Sequence, residues 1–205
     1  MYRNMESAVV QPKRGRPSAG AREAVLDAAR DLFIERDYAQ VSTGDVVRRA
    51  GVSRGALYHH FPSKRDLYRE VWRNSERRLI ARLGEAAGSA ETPLEALDLG
   101  CRAYLDEAAT NRGVQRIGLL QSRTVLDLEG WRVGIKDLGL AAMRGAIEAA
   151  MESGELRRTD PEATAHLVLA ALIEAGLLIA TAQDLKAERR RAEPPLLEML
   201  EGLRA

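Results

Sequence analysis

Cysteine is nearly absent from this chain. Cys101 stands alone, which excludes a disulfide framework and a cysteine-based zinc site. A single thiol of this kind is either a small buried hydrophobe or a redox sensor. Aromatics make up only 4%. Strand-favouring aliphatics are scarce beside helix formers, with 12 Val and 7 Ile against 32 Ala and 27 Leu. That balance argues for an all-α fold and against a β-sandwich or a parallel sheet. No excess of one charge exists either: 31 basic and 30 acidic residues leave a net +1, which excludes an acidic disordered chain. The longest apolar run, residues 163–183, carries His166 and, near its centre, Glu174. It is long enough for a membrane span, but the carboxylate argues for a helix buried in protein, with His166 a core or pocket residue. Near the start, the only apolar cluster is Ala8-Val9-Val10, too short for a signal-peptide core, so the chain is expected in the cytoplasm and not in a membrane.

What is present is unevenly distributed. The 205 residues suit one domain or two small ones. Residues 1–75 hold 14 Lys+Arg and 9 Asp+Glu, a balance of +5, and residues 76–205 hold 17 and 21, a balance of −4. The basic charge is densest at Lys13-Arg14-Gly15-Arg16-Pro17. A basic arm over residues 1–18 is either a polyanion contact or a solvated tail.

Apolar residues at helical spacing from Ala21 to Phe33 predict a helix over 19–36 with Ser18 as its N-cap. Ser42-x-x-Asp45 is a capping box opening a short helix over 43–50, ended by Gly51. Ser53 caps a second short helix over 54–60, and Pro62 stops it. Ser63-x-x-Asp66 is a second capping box, opening a long helix from Lys64 to about Ala87. Further helices fit 93–110, 113–121, about 125–153 and 161–183, the last begun by Asp160-Pro161. A final helix fits 186–204, where Pro194-Pro195 predicts a kink or a late start.

The cap, short helix, glycine turn, cap and second short helix of 42–60 form a helix-turn-helix by pattern. A helix that enters the major groove must be short, exposed on one face and braced by a partner. Val46, Val47, Ala50, Val52 and Leu57 supply the brace. Adjacent His59 and His60 point about 100° apart on a helix and cannot share one metal, so no metal site and no cofactor is expected.

Residues 25–71, above all AGVSRGALYHHFPSK over 50–64, resemble the N-terminal domain of the TetR-type (tetracycline-repressor-like) transcriptional regulators. The resemblance implies an N-terminal three-helix helix-turn-helix domain over 19–66 and a C-terminal helical bundle over 67–205 for ligand binding and dimerisation. It also implies a homodimeric repressor on a palindromic double-stranded operator, released by a small-molecule effector. The family's base-reading positions fall on Thr43, Gly44, Arg54, Gly55, Ala56 and His59. Arg54 carries the chemistry to pair with guanine, or alternatively to clamp a phosphate. Tyr58, His60 and Lys64 match phosphate-contacting positions, Ser42 and Ser53 either cap only or also donate to phosphate, and Lys13, Arg14 and Arg16 would form a DNA-contacting arm. The chain departs from the pattern at Asp37, where Gly is common, at Gly44, where a longer side chain is usual, and at Ala56, where Thr is frequent.

The last two helices fit the family's dimerisation pair. Thr164, Val168, Ala171, Ala175, Ile179 and Ala182 form a small-residue stripe, continued by Leu196, Leu200 and Leu203. It would close a two-fold interface between protomers or pack inside one of them. Candidate effector-pocket residues are Trp72, Tyr104, Leu105, Ile117, Leu120, Gln121, Trp131, Met143 and Leu172. They include no basic cluster, so the effector is expected to be apolar or aromatic. An activator or an effector-independent DNA-binding protein is the alternative. Nothing in the spacing of nucleophiles, bases or ligands supports an enzyme.

Overall fold

The computed structural model describes residues 18–127, 130 and 136–205, and these form nine helices with no strand. They are α1 (Ser18–Glu35), α2 (Thr43–Ala50), α3 (Arg54–His60), α4 (Lys64–Ala87) and α5 (Pro93–Thr110). Then come α6 (114–125), α7 (136–152), α8 (Pro161–Thr181) and α9 (Leu185–Glu201). A single bridge pairs Leu156 with Arg204, so the C-terminal tail lies along 155–157.

Local chemistry sets most boundaries. The Ser42 hydroxyl accepts from the Asp45 N–H at 3.1 Å, and the Asp45 carboxylate accepts from the Ser42 N–H at 3.0 Å. Gly51 ends α2 at φ 66, the left-handed conformation glycine adopts at little cost. Ser53 accepts from the Ala56 N–H at 3.1 Å and starts α3. At Ser63 only half of the expected box forms. Its hydroxyl accepts from the Asp66 N–H at 3.1 Å and donates to the Asp66 carboxylate at 2.7 Å, but the Ser63 N–H makes no bond to that carboxylate. Thr92 and Asp160, each followed by a proline, start α5 and α8.

Three helix predictions need correction. Ser18 lies within α1 rather than at its cap. The helix expected over about 125–153 is interrupted: Leu126 is a bend and Asp127 has φ 59. Arg65 stabilises that break by donating to the Leu126 carbonyl at 3.0 Å and pairing with Asp127. Flanking it, Val114–Gln121 of α6 and Lys136–Leu140 of α7 are π-helical. Finally, α9 starts at Leu185 and runs on through Pro194 and Pro195, with no late start. The two prolines deprive the carbonyls of Arg190 and Arg191 of a partner, but those residues are exposed and water can replace the bonds.

Two apolar cores form. One gathers α1, α2, α3 and the start of α4, including Val25, Phe33, Leu57 and Trp72, and recruits Ile117 and Leu126 from α6. The other joins the rest of α4 to α5, Val114 and Leu119 of α6, α7, α8 and α9, from Leu79 to Leu200. Helix α4 thus belongs to both.

Within the second core, the predicted dimer stripe packs inside one chain. Val168, Ala175, Ile179, Leu196 and Leu200 are buried there, and Thr164, Ala171, Ala182 and Leu203 are half-buried. The small residues are used for close approach to α5. A Cβ on Gly176 would stand 2.8 Å from the Tyr104 hydroxyl, a distance no side chain tolerates. The outward face of α8 instead carries Ala163, His166, Leu167, Ala170, Glu174 and Leu178, all exposed. His166 is therefore not a core or pocket residue. Helix α8 is also the one described helix long and apolar enough to cross a membrane.

Candidate nucleic-acid interface and effector cavity

Helix α3 separates its faces cleanly. Leu57 is fully buried, whereas Arg54, Gly55, Tyr58 and His59 are exposed and Ala56 and His60 half-buried. On α2, Val46 is buried and Gly44 exposed, with Thr43 half-buried. Thr43 and Tyr58 join the two helices through their hydroxyls at 3.2 Å. The Arg54 guanidinium lies over the Tyr58 ring, 5.8 Å from its centroid. The Thr43 hydroxyl, then the Arg54 guanidinium, hold the Tyr58 phenol below its ordinary pKa. One exposed surface thus unites Thr43, Arg54 and Tyr58. Ser42 and Ser53, both exposed, use their side chains as caps at the same helix ends.

Charge pairing singles out Arg54. Arg48 pairs with Asp45, and Arg49 binds Glu35 through two bonds of 2.7 and 3.0 Å. Among the described residues Arg54 is the one arginine of α2 and α3 without a carboxylate partner. Its guanidinium rests on Tyr58 instead, and no carboxylate among the described residues neutralises its charge on this exposed surface. Lys64 is different. Its ammonium donates to the carbonyls of Tyr38 at 2.9 Å and Val41 at 3.0 Å, and lies 4.0 Å from the Tyr38 ring centroid. Desolvation lowers its pKa. The residue assigned to phosphate is thus occupied in holding the turn before α2. Asp37, the departure from glycine, has φ −64, which any residue adopts, and pairs with Arg116 at 2.7 Å. At Gly44 a Cβ would meet Ser42 Oγ at an ordinary 3.5 Å, so the missing side chain opens surface without being required by packing. Lys13, Arg14, Arg16 and Trp131 lie outside the described residues.

A cavity of about 240 Å³ lies between α4, α5, α6, α7 and α8. Tyr104, Met143 and Leu172 line it, as the sequence suggested. Other candidates do not. Trp72 and Ile117 are fully buried in the first core, and Leu105 is fully buried in the second. Leu120 is half-buried away from the cavity wall. Gln121 is a brace: its carbonyl accepts from the Tyr38 N–H at 2.8 Å, and its amide donates to the Phe33 carbonyl at 3.0 Å. Tyr68 adds a second brace by donating to the Ile117 carbonyl at 2.9 Å. Cys101 lines the cavity, and burial pushes its thiol up to about 12, which suits a small hydrophobe and not a redox sensor.

Sequence reasoning missed Glu76. This α4 residue lines the cavity, and desolvation raises its pKa to about 7. It stands in sequence among Asn74, Arg77 and Arg78, with no local pattern that marks it as a cavity residue.

Comparison with known proteins bears on both halves. Residues 25–71 match the profile of the bacterial regulatory proteins of the tetR family, and residues 94–203 match a tetracyclin repressor-like C-terminal domain. A TetR-family transcriptional regulator from Pectobacterium atrosepticum is 32% identical, with a TM-score of 0.79 over 92% of this chain and 96% of its own. The HTH-type transcriptional regulator AcrR of Shigella flexneri is 44% identical over 55 residues, 27% of this chain and 26% of its own. The HTH-type transcriptional repressor KstR2 of Mycolicibacterium smegmatis is 34% identical over 79 residues, 38% of each chain. This chain thus spans well under half the length of these curated relatives.

Proposed function

The chain belongs to the TetR family of bacterial regulatory proteins, and on that premise we propose that it is a homodimeric, ligand-responsive transcriptional repressor acting in the cytoplasm on a palindromic operator. The observation that carries this reading is the position of α6. On one side it presents Val114, Gly118 and Leu119 to the cavity. On the other, Gln121 and Ile117 hold α1, the Tyr38 turn and α4 of the DNA-reading domain. A ligand that moves α6 therefore pulls on the domain that carries α3. Operator affinity falls by the ligand's preference for the shifted state.

Base reading falls to Arg54, with Thr43, Gly44, Gly55, Ala56 and His59 around it. Ser42, Ser53, Tyr58 and His60 approach phosphates, and the arm with Lys13, Arg14 and Arg16 adds backbone contacts. Two protomers meet through the outward face of α8, where Leu167 is 72% and Leu178 47% exposed, and through Met199 of α9 at 56%. Isolated exposed leucines need no explanation, but a row of them at helical spacing does. Glu174 and His166 on that face suit a protein partner better than lipid. The effector itself has an apolar body, set by the aliphatic cavity wall.

Footprinting of DNA upstream of the protein's own gene tests the reading. The expected result is protection of two inverted half-sites about 10 base pairs apart, centre to centre. Protection of a single unpaired site, or of none, overturns it.

A further inference from the structure

The cavity wall is hydrocarbon from Leu79, Leu83, Leu119, Met143 and Leu172, with one carboxyl set into it. Glu76 enters from α4, and α6 makes room for it: a Cβ on Gly118 would stand 3.2 Å from Glu76 Oε1. Glu76 makes no ion pair among the described residues. The one donor that favours its charged form is the Trp72 indole N–H one turn back, which itself lies outside ordinary hydrogen-bond geometry. Cys101 and Tyr104 face the same space from α5, and burial holds both in their neutral forms. The field of Arg123 reaches Tyr104 but is not among the influences on Glu76.

Among the described residues this carboxyl caps no helix and pairs with no cation, and the Trp72 indole is the one donor near it. An uncompensated carboxylate in an apolar site is unfavourable. The group becomes favourable when a ligand brings the opposite charge and an N–H donor. The resulting charge-assisted bond gains strength from the low dielectric around it. Above about pH 7, where the carboxyl is ionised, an anionic ligand would be repelled, and a neutral one would gain only an ordinary hydrogen bond.

We propose that the cavity takes an amphipathic ligand with an apolar body and one protonated amine, and that Glu76 selects for that charge. The proposal rests on the reading of this cavity as the effector site. It concerns the class of effector and makes Glu76 its specificity determinant.

Calorimetric titration of the full chain with three probes of one shape tests it: 4-phenylbutylamine, 4-phenyl-1-butanol and 4-phenylbutyrate. The amine is expected to bind at least about tenfold tighter than the alcohol, the worth of one charge-assisted bond over a neutral one, with the carboxylate weakest. In Glu76→Gln, which keeps the side-chain shape, amine and alcohol should bind equally within about threefold. Gly100→Leu fills the cavity from α5, where Gly100 has open space beside it, and should lose both ligands. Equal binding of amine and alcohol to the native chain, lost in Gly100→Leu, overturns the charge selection while leaving the cavity as a ligand site. An amine preference that survives in Glu76→Gln overturns the role of Glu76. Absence of binding by all three probes overturns the proposal together with the cavity reading beneath it.

Discussion

Replacing Glu76 by glutamine should change the pH dependence of stability more than any surface substitution. Desolvation in the cavity raises the pKa of this carboxyl from the ordinary 4.5 to about 7. The folded protein therefore keeps a proton on Glu76 that the unfolded chain has already released. Stability linked to this proton is fully present below about pH 4.5 and is lost as the pH rises to about 7. Above that, the folded state carries a desolvated carboxylate. At about 1.4 kcal/mol for each pH unit between the two values, the loss is about 3 kcal/mol. Glu76 is only half-buried, so water reaching its carboxylate makes the loss smaller than that. Glutamine cannot titrate, so any cost of its amide is the same at every pH. Urea unfolding followed by circular dichroism, at matched protein concentration, gives the difference between the two proteins at pH 5 and pH 8. Relative to the native chain, Glu76→Gln should gain up to about 2.5 kcal/mol between those values. A difference that stays constant with pH would refute a desolvated carboxyl at this position.

Other consequences are as direct. Gln121→Ala removes the partners of the Tyr38 N–H and the Phe33 carbonyl. It should cost about 1–3 kcal/mol in urea unfolding and raise the effector concentration needed to release operator. Arg54→Ala should weaken operator binding by about 1–3 kcal/mol and relax base choice at one position. Equal losses on scrambled DNA would make Arg54 a phosphate contact instead. Leu167→Glu places a charge on the outward face of α8 and should shift sedimentation from dimer to monomer without loss of helix content. A dimer that persists would place the interface elsewhere.

Much of the reading domain was legible because its boundaries rest on bonds between residues three positions apart. Ser42 with Asp45, Gly51 and Ser53 act within one turn, and the sequence pattern contains the whole interaction. The fold class followed from composition in the same way. Where the structure departs from expectation, distant residues decide. Arg65 on α4 holds the break at Leu126 and Asp127, and no local signal there announces it. Lys64 has the charge for phosphate, but the carbonyls of Tyr38 and Val41 come within its reach only after folding. The α8 stripe predicts close helix packing, but its periodicity does not say whether the partner helix belongs to the same chain or to another. Trp72, a candidate pocket residue, packs in the first core instead. Glu76 stands among polar and basic neighbours, and no local pattern marks it as a cavity residue.

The most direct test of the account is fluorescence anisotropy of the full chain on a duplex from upstream of its own gene. A scrambled duplex of the same length is the reference, and both are measured at two salt concentrations. Specific recognition through α2 and α3 predicts affinity for the native duplex about a thousandfold or more above the scrambled one. Both affinities should fall steeply with added salt as phosphate contacts are lost. Equal affinity for the two duplexes, or binding insensitive to salt, would contradict it.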